Sequence, residues 1–158
     1  MKEGEIVSIS INTWNISSLV AQETPKSAKT PYYYSTFEEK MQETILKIGH
    51  NLKYDLKVLS NYNLKVKGPI YDTLIAHYLI NPDRRHGMDI LASSYLNYEP
   101  QPITDLIGKK GKNQGNMRDV SLKDQTQYAV EDADITWQLK HYFDKELDAA
   151  ENQALFNT

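Results

Sequence analysis

Three carboxylates, Glu131, Asp132 and Asp134, stand in "QYAVEDADITWQL" (residues 127–139), a segment otherwise patterned like the apolar face of a helix. Burying a carboxylate without a partner is costly, so either this face is wet or something cationic sits on it. Tyr128 and Asp132 are four residues apart and so share one helix face, with Leu139 continuing the line. Glu131 and Asp134 point to other sides and read as solvated charges. A second acidic position, Asp55, closes "HNLKYD" (residues 50–55), together with Asn51 and Tyr54. It falls between Leu52 and Leu56, at the edge of the apolar face of a helix that follows a buried strand. In open α/β sheets such strand-to-helix junctions are where ligands bind. Each group also has an ordinary reading: for Asp55 a carboxylate favoured by the helix dipole, for Tyr128 and Asp132 a surface or hydroxyl–carboxylate pair.

The elements that would hold these groups alternate between strand and helix. "EIVSISIN" (5–12) alternates apolar and polar residues as a strand does, and "PYYYS" gives a second strand that includes Tyr32, Tyr33 and Tyr34. "STFEEKMQETI" spaces Phe37, Met41 and Ile45 helically, after Ser35 or Thr36 as N-cap. "LKIGH" is a short buried strand closed by Gly49, and Leu52, Leu56 and Leu59 define a helix whose first turn Asn51 can cap. "KVKGPIYD" is a further strand, after which Asp72 caps "TLIAHYLI" and Asn81-Pro82 stops it. Leu74, Ile75, Tyr78 and Leu79 are taken as core. "MDILASSYL" continues as helix, and residues 99–118 form an exposed loop with at most a short helical turn. Ser121 and Asp124 open a long helix, reaching about residue 148, with a capping-box-like start. Alternating strands and helices predict an α/β layered domain.

At 158 residues the chain is long enough for one domain with a real core. The formal net charge of −3, from 18 basic and 21 acidic residues, excludes a generally basic nucleic-acid coat. It leaves room for an acidic cleft with a smaller basic rim. Such a rim exists: Arg84, Arg85, Lys109, Lys110, Lys112 and Arg118 stand against three acids between residues 84 and 118. Phosphate contacts from these residues would give affinity without sequence preference, although "KKGKNQ" reads equally well as a solvated loop. With no cysteine there are no disulfides, thiolate zinc sites or cysteine nucleophiles, and His50, His77, His86 and His141 have no ligand-like spacing. Neither a membrane-length apolar run nor a signal segment is present, so a soluble, cytoplasmic protein is expected.

Asn-x-x-Tyr-Asp after a strand, followed by Tyr-x-x-x-Asp on a later helix, resembles the second and third motifs of the DEDDy 3′-5′ exonucleases. "KIGHNLKYDLKVLSNY", "YDTLIAHYLINPDRRHGMDILA", "IGKKGKNQ" and "YAVEDADITWQL" are similar to the proofreading domain of bacterial DNA polymerase I, densely from Lys47 to about Lys145 and weakly before that. The resemblance implies a ribonuclease-H-like mixed sheet flanked by helices. It also implies two divalent ions, magnesium or manganese, that activate a water and neutralise the leaving 3′ oxygen. Asp55 and Asp132 would be metal ligands and, with Tyr128 orienting the water, the catalytic set. His50, Asn51, Tyr54, Arg85 and Lys112 would hold the 3′ end of single-stranded DNA, Tyr54 by stacking. A polymerase domain in the parent protein is a further implied partner.

The family also carries an Asp-x-Glu at the end of its first strand, which is not found here. In the preferred register "EIVSISIN" matches the following strand, so that residues 1–158 are one N-terminally truncated domain lacking the first strand. In the other register Asn12 and Trp14 replace both carboxylates, while Glu3 and Glu5 lie at the wrong end of the strand. Either way the expectation is a poor or inactive nuclease, or a module of the same fold that binds single-stranded DNA or packs on a polymerase without cutting.

Overall fold

A computed structural model describes residues 46–61, 63–149 and 152–156. The strands expected at 5–12 and 31–35, the helix expected at 35–45 and the Asp-x-Glu registers lie outside these residues.

Two short strands carry the described sheet. β1 (Lys47–Gly49) and β2 (Ile70–Asp72) pair in parallel, with Lys47 opposite Ile70, Ile48 opposite Tyr71 and Gly49 opposite Asp72. Parallel strands cannot be joined by a tight turn, and the crossover here is α1 (Leu52–Asn61). The strand expected over residues 65–72 is shorter than its sequence pattern, because only Ile70–Asp72 pairs with a neighbour among the described residues.

α2 (Thr73–Ile80) follows β2 without a loop, its first turn capped by the Asp72 carboxylate, which accepts from Leu74 N–H at 2.9 Å. Pro82 has no N–H to continue the ladder, and α2 ends two residues before it. α3 (Met88–Leu91) widens into a π-helical turn, Ala92–Leu96, which left-handed Asn97 (φ 52°) terminates. α4 (Ile103–Ile107) is the short helical turn expected within the 99–118 loop, and a 3₁₀ turn at Met117–Asp119 precedes the long α5 (Leu122–Ala149). Ser121 Oγ accepts from Asp124 N–H at 3.2 Å and donates to its carboxylate at 2.7 Å, so the expected cap forms. α6 (Gln153–Phe156) closes the described chain.

The core sits where α5 crosses the other elements. Ile135, Leu139, Phe143 and Leu147 fall on one stripe of α5 and are buried against Ile48, Tyr71, Ala76, Leu91 and Ala92. α2 departs from its expected core face. Ile75 and Tyr78 are 48% and 53% exposed, whereas Thr73, Ala76 and His77 are buried. An eight-residue helix apolar on nearly all sides can turn only one stripe towards α5. The small Ala76 permits close approach there, and a hydrogen-bonded histidine fills the space beside it. Among the described residues no helix is long and apolar enough to cross a membrane.

Candidate active site

The β1–α1 junction is built around one buried carboxylate. Asp72 accepts from Asn51 N–H at 2.9 Å and Leu52 N–H at 2.8 Å as well as from Leu74 N–H. A single side chain at the end of β2 therefore caps two helices, satisfying donors that would otherwise be orphaned at both N-termini. This corrects the expected role of Asn51. With φ 61° its backbone occupies the left-handed region, and its N–H is a ligand of the cap, which a carboxylate 21 residues away supplies. The turn and the first turn of α1 carry His50, Asn51, Tyr54 and Asp55 close to the sheet end. Asn51 is exposed and Tyr54 is 52% exposed, so its ring is available, while Asp55 is half-buried. Burial pushes the Asp55 carboxyl up to about 6, with the Asp72 charge adding to the effect.

On α5, Tyr128 and Asp132 are both half-buried, about two turns and one turn respectively before the buried stripe begins at Ile135. Burial pushes Asp132 up to about 7, and neighbouring Glu131 adds to it. The same causes, burial first and then Asp132, Glu131 and Asp89, hold the Tyr128 hydroxyl at about 12, so it keeps its proton at neutral pH. Neither Asp55 nor Asp132 has an ion-pair partner among the described residues. These are carboxylates taken partly out of water with nothing cationic among the described residues to compensate them. Glu131, read from sequence as solvated, is not free: it accepts from Tyr98 O–H at 2.5 Å and from Gln101 N–H at 3.0 Å, pinning the turn after the π-helix to α5. Asp134 is exposed and accepts from Gln138 at 2.7 Å.

The two halves meet through a residue that the sequence reading passed over. The charge of Asp89, in the first turn of α3, acts on both Tyr128 and His50, and the charge of Asp72 acts on both His50 and Asp55. The only sequence signal for Asp89 was an acidic residue in a helix first turn. Among the described residues no three carboxylate or histidine groups gather as a metal cluster. His50 Nδ1 lies 2.9 Å from Thr73 Oγ1. Arg85 is exposed on the α2–α3 loop, one residue before His86, whose backbone carbonyl faces the His50 ring. Lys112 is exposed on the loop after α4, which Gly115 N–H closes onto the Ile107 carbonyl at 2.7 Å. That loop brings it no hydrogen bond or ion pair with either carboxylate among the described residues.

Comparison with known proteins places this geometry. A family model described as 3′-5′ exonuclease matches residues 3–148, including the N-terminal stretch where the likeness seen in sequence was weak. The chain is 39% identical over 100 residues to DNA polymerase I of Borreliella burgdorferi, covering 63% of this chain and 11% of that protein. It is 33% identical over 119 residues to DNA polymerase I of Treponema pallidum, covering 73% and 12%. The chain thus spans about an eighth or less of the polymerases it matches. Among solved structures, NrnC of Brucella melitensis, also solved with bound Mg2+, superposes with a TM-score of 0.61 and 22% identity over 82% of this chain and 58% of that one. The POL domain of Pol1 from M. smegmatis, solved with DNA primer-template and dNTP, superposes with a TM-score of 0.63 and 20% identity, covering 82% and 19%. These likenesses fix the fold as α/β of the ribonuclease-H-like kind.

Proposed function

We propose, from the premise that this chain belongs to the 3′-5′ exonuclease family of DNA polymerase I, that it binds the 3′ end of single-stranded DNA at the β1–α1 junction and cuts it weakly at best. In this reading Asp132 is a ligand of one divalent cation, magnesium or manganese, and Asp55 serves a second, largely through bound water. The observation that carries it is their state: two half-buried carboxylates raised to about 7 and about 6, with no cationic partner among the described residues. Hard oxygen donors in that condition fit a divalent ion in kind, and gain from one what the protein does not supply. When bound, such an ion would lower the pKa of a water and neutralise the departing oxygen.

The chain's own residues do the rest. Asp132, half-protonated near pH 7, must give up its proton to become a ligand, so loading is favoured as pH rises. Tyr128 keeps its hydroxyl proton and offers both an O–H and a lone pair to orient a water beside Asp132. Tyr54 presents an open ring for the terminal base, and Asn51 and His50 flank it. Arg85 and Lys112 supply phosphate contacts. Parental polymerase activity, if the chain is part of such a protein, would lie outside this domain.

Weakness follows from the ligand count: among the described residues two of the four carboxylates that the family uses are found, and no cluster of three forms. The same observation favours a second reading, a module that holds single-stranded DNA without cutting it. A gel assay with 5′-labelled single-stranded DNA and magnesium or manganese tests both. Little or no 3′ trimming, with DNA bound in EDTA, is expected. Brisk trimming abolished by Asp132→Ala would overturn the impairment, and failure to bind DNA at all would overturn the nuclease lineage of the site.

A further inference from the structure

Four polar side chains form a closed network beneath the α2–α3 loop. His77, 1% exposed on α2, places Nδ1 2.6 Å from His86 Nδ1 and Nε2 2.9 Å from the Tyr95 hydroxyl. Asn81 Nδ2 donates to that same hydroxyl at 3.1 Å. Two tautomer assignments satisfy the set. In one, Tyr95 O–H donates to His77 Nε2 and His77 Nδ1–H donates to His86. In the other, His77 Nε2–H donates to Tyr95 and His86 Nδ1–H donates to His77. Both place one proton between the two Nδ1 atoms, so the contact between the rings is a specific hydrogen bond and not apolar packing. The His86 ring also packs edge-on against His77 and Tyr78, with centroids at 4.8 and 5.4 Å.

On its other side the loop meets the candidate site. Thr73 Oγ1 donates to the Gly49 carbonyl at 3.2 Å, which makes His50 Nδ1 the donor to Thr73 Oγ1. The His50 ring in turn faces the His86 backbone carbonyl. His86 is therefore held through its ring by α2, while its backbone carbonyl lies beside His50, the residue that precedes Asn51–Asp55. Arg85, adjacent in the chain, is exposed. A loop residue has little reason of its own to hold one position. This one is anchored through its neighbour to a buried histidine, beside the sheet end.

We infer that His77 and His86 act as a latch that positions Arg85 for a DNA phosphate at the β1–α1 junction. His77 and His86 are positioning residues that do not touch DNA. The inference rests on the DNA-binding reading above and adds what fixes its cationic contact. One phosphate contact to single-stranded nucleic acid contributes about 0.7 to the slope of log K against log salt, which is about 5-fold in affinity at 0.1 M monovalent salt.

The test is fluorescence anisotropy of labelled single-stranded DNA with the full chain in EDTA, across a salt series. Arg85→Ala and His86→Phe should each weaken binding about 5-fold at 0.1 M salt and flatten the salt slope by about 0.7. The double variant should be no weaker than Arg85→Ala alone, and His86→Asn, which keeps a polar atom near the Nδ1 position, should recover most of the loss. If His86→Phe disturbs folding by circular dichroism, His77→Gln breaks the same contact from α2 while sparing the Tyr95 bond. Full-strength binding in these latch variants, or losses that multiply with Arg85→Ala, would overturn the inference while leaving the DNA-binding reading intact. Absence of binding by the unsubstituted chain would remove that reading, and the latch with it.

Discussion

Replacing Asp132 by asparagine should make the metal-free protein more stable, and only above mild acid. In the unfolded chain this carboxyl titrates near 3.8, and in the fold near 7. Below about pH 4 it is protonated in both states and contributes no difference. Between the two values the folded state holds a proton that the unfolded state has released, so stability falls as pH rises, and above about 7 the penalty is complete and flat. The interval, at about 1.36 kcal/mol per tenfold, sets a ceiling of about 4 kcal/mol. Asp132 is only half-buried, and solvent screening reduces this to roughly 1–2 kcal/mol. Asparagine is neutral throughout and nearly isosteric, so Asp132→Asn recovers that amount. For a domain of this size the gain corresponds to roughly 2–8 °C in Tm at pH 8, fading to nothing towards pH 4. Thermal melts of both proteins in EDTA from pH 4 to 8 measure it. Equal Tm values at pH 8, or a gain that persists unchanged at pH 4, would refute the claim that Asp132 is an uncompensated carboxylate.

Asp72→Ala removes the acceptor of three backbone N–H groups and the caps of two helices, and is expected to cost about 3–5 kcal/mol in urea unfolding. A loss under 1 kcal/mol would show that water replaces the carboxylate at little cost. Phe143→Ala opens a cavity at a fully buried position between α2, the π-helical turn and α5, and should destabilise by about 3–5 kcal/mol with an unchanged urea m-value. A smaller effect would mean that Tyr95 and His77 collapse into the space.

Local signals were legible because their physics is short-ranged. Asp72 capping Leu74, the Ser121–Asp124 box and the stop before Pro82 each involve groups within three residues of one another, and all three stand in the structure where the sequence put them. The long helix α5 and the strand–helix–strand order of β1, α1 and β2 follow from periodicity in the same way, whereas the parallel pairing of the strands comes from the structure. For Asp55, Tyr128 and Asp132 the residue types alone favoured ordinary readings, and only the family resemblance of the motifs around them pointed to cation-binding chemistry. What the sequence could not reveal was every contact between residues far apart in the chain. Asp72 caps α1 as well as α2, Glu131 pins the turn at Tyr98 and Gln101, the charge of Asp89 reaches Tyr128 and His50, and His77 meets His86. A helix apolar on nearly every side, such as α2, also hides which stripe will be covered, so Ile75 and Tyr78 were misplaced. Composition and spacing set which groups can interact. Which of them do, and how far each carboxylate is withdrawn from water, is decided only when α5 is laid across the sheet, because desolvation depends on neighbours in space.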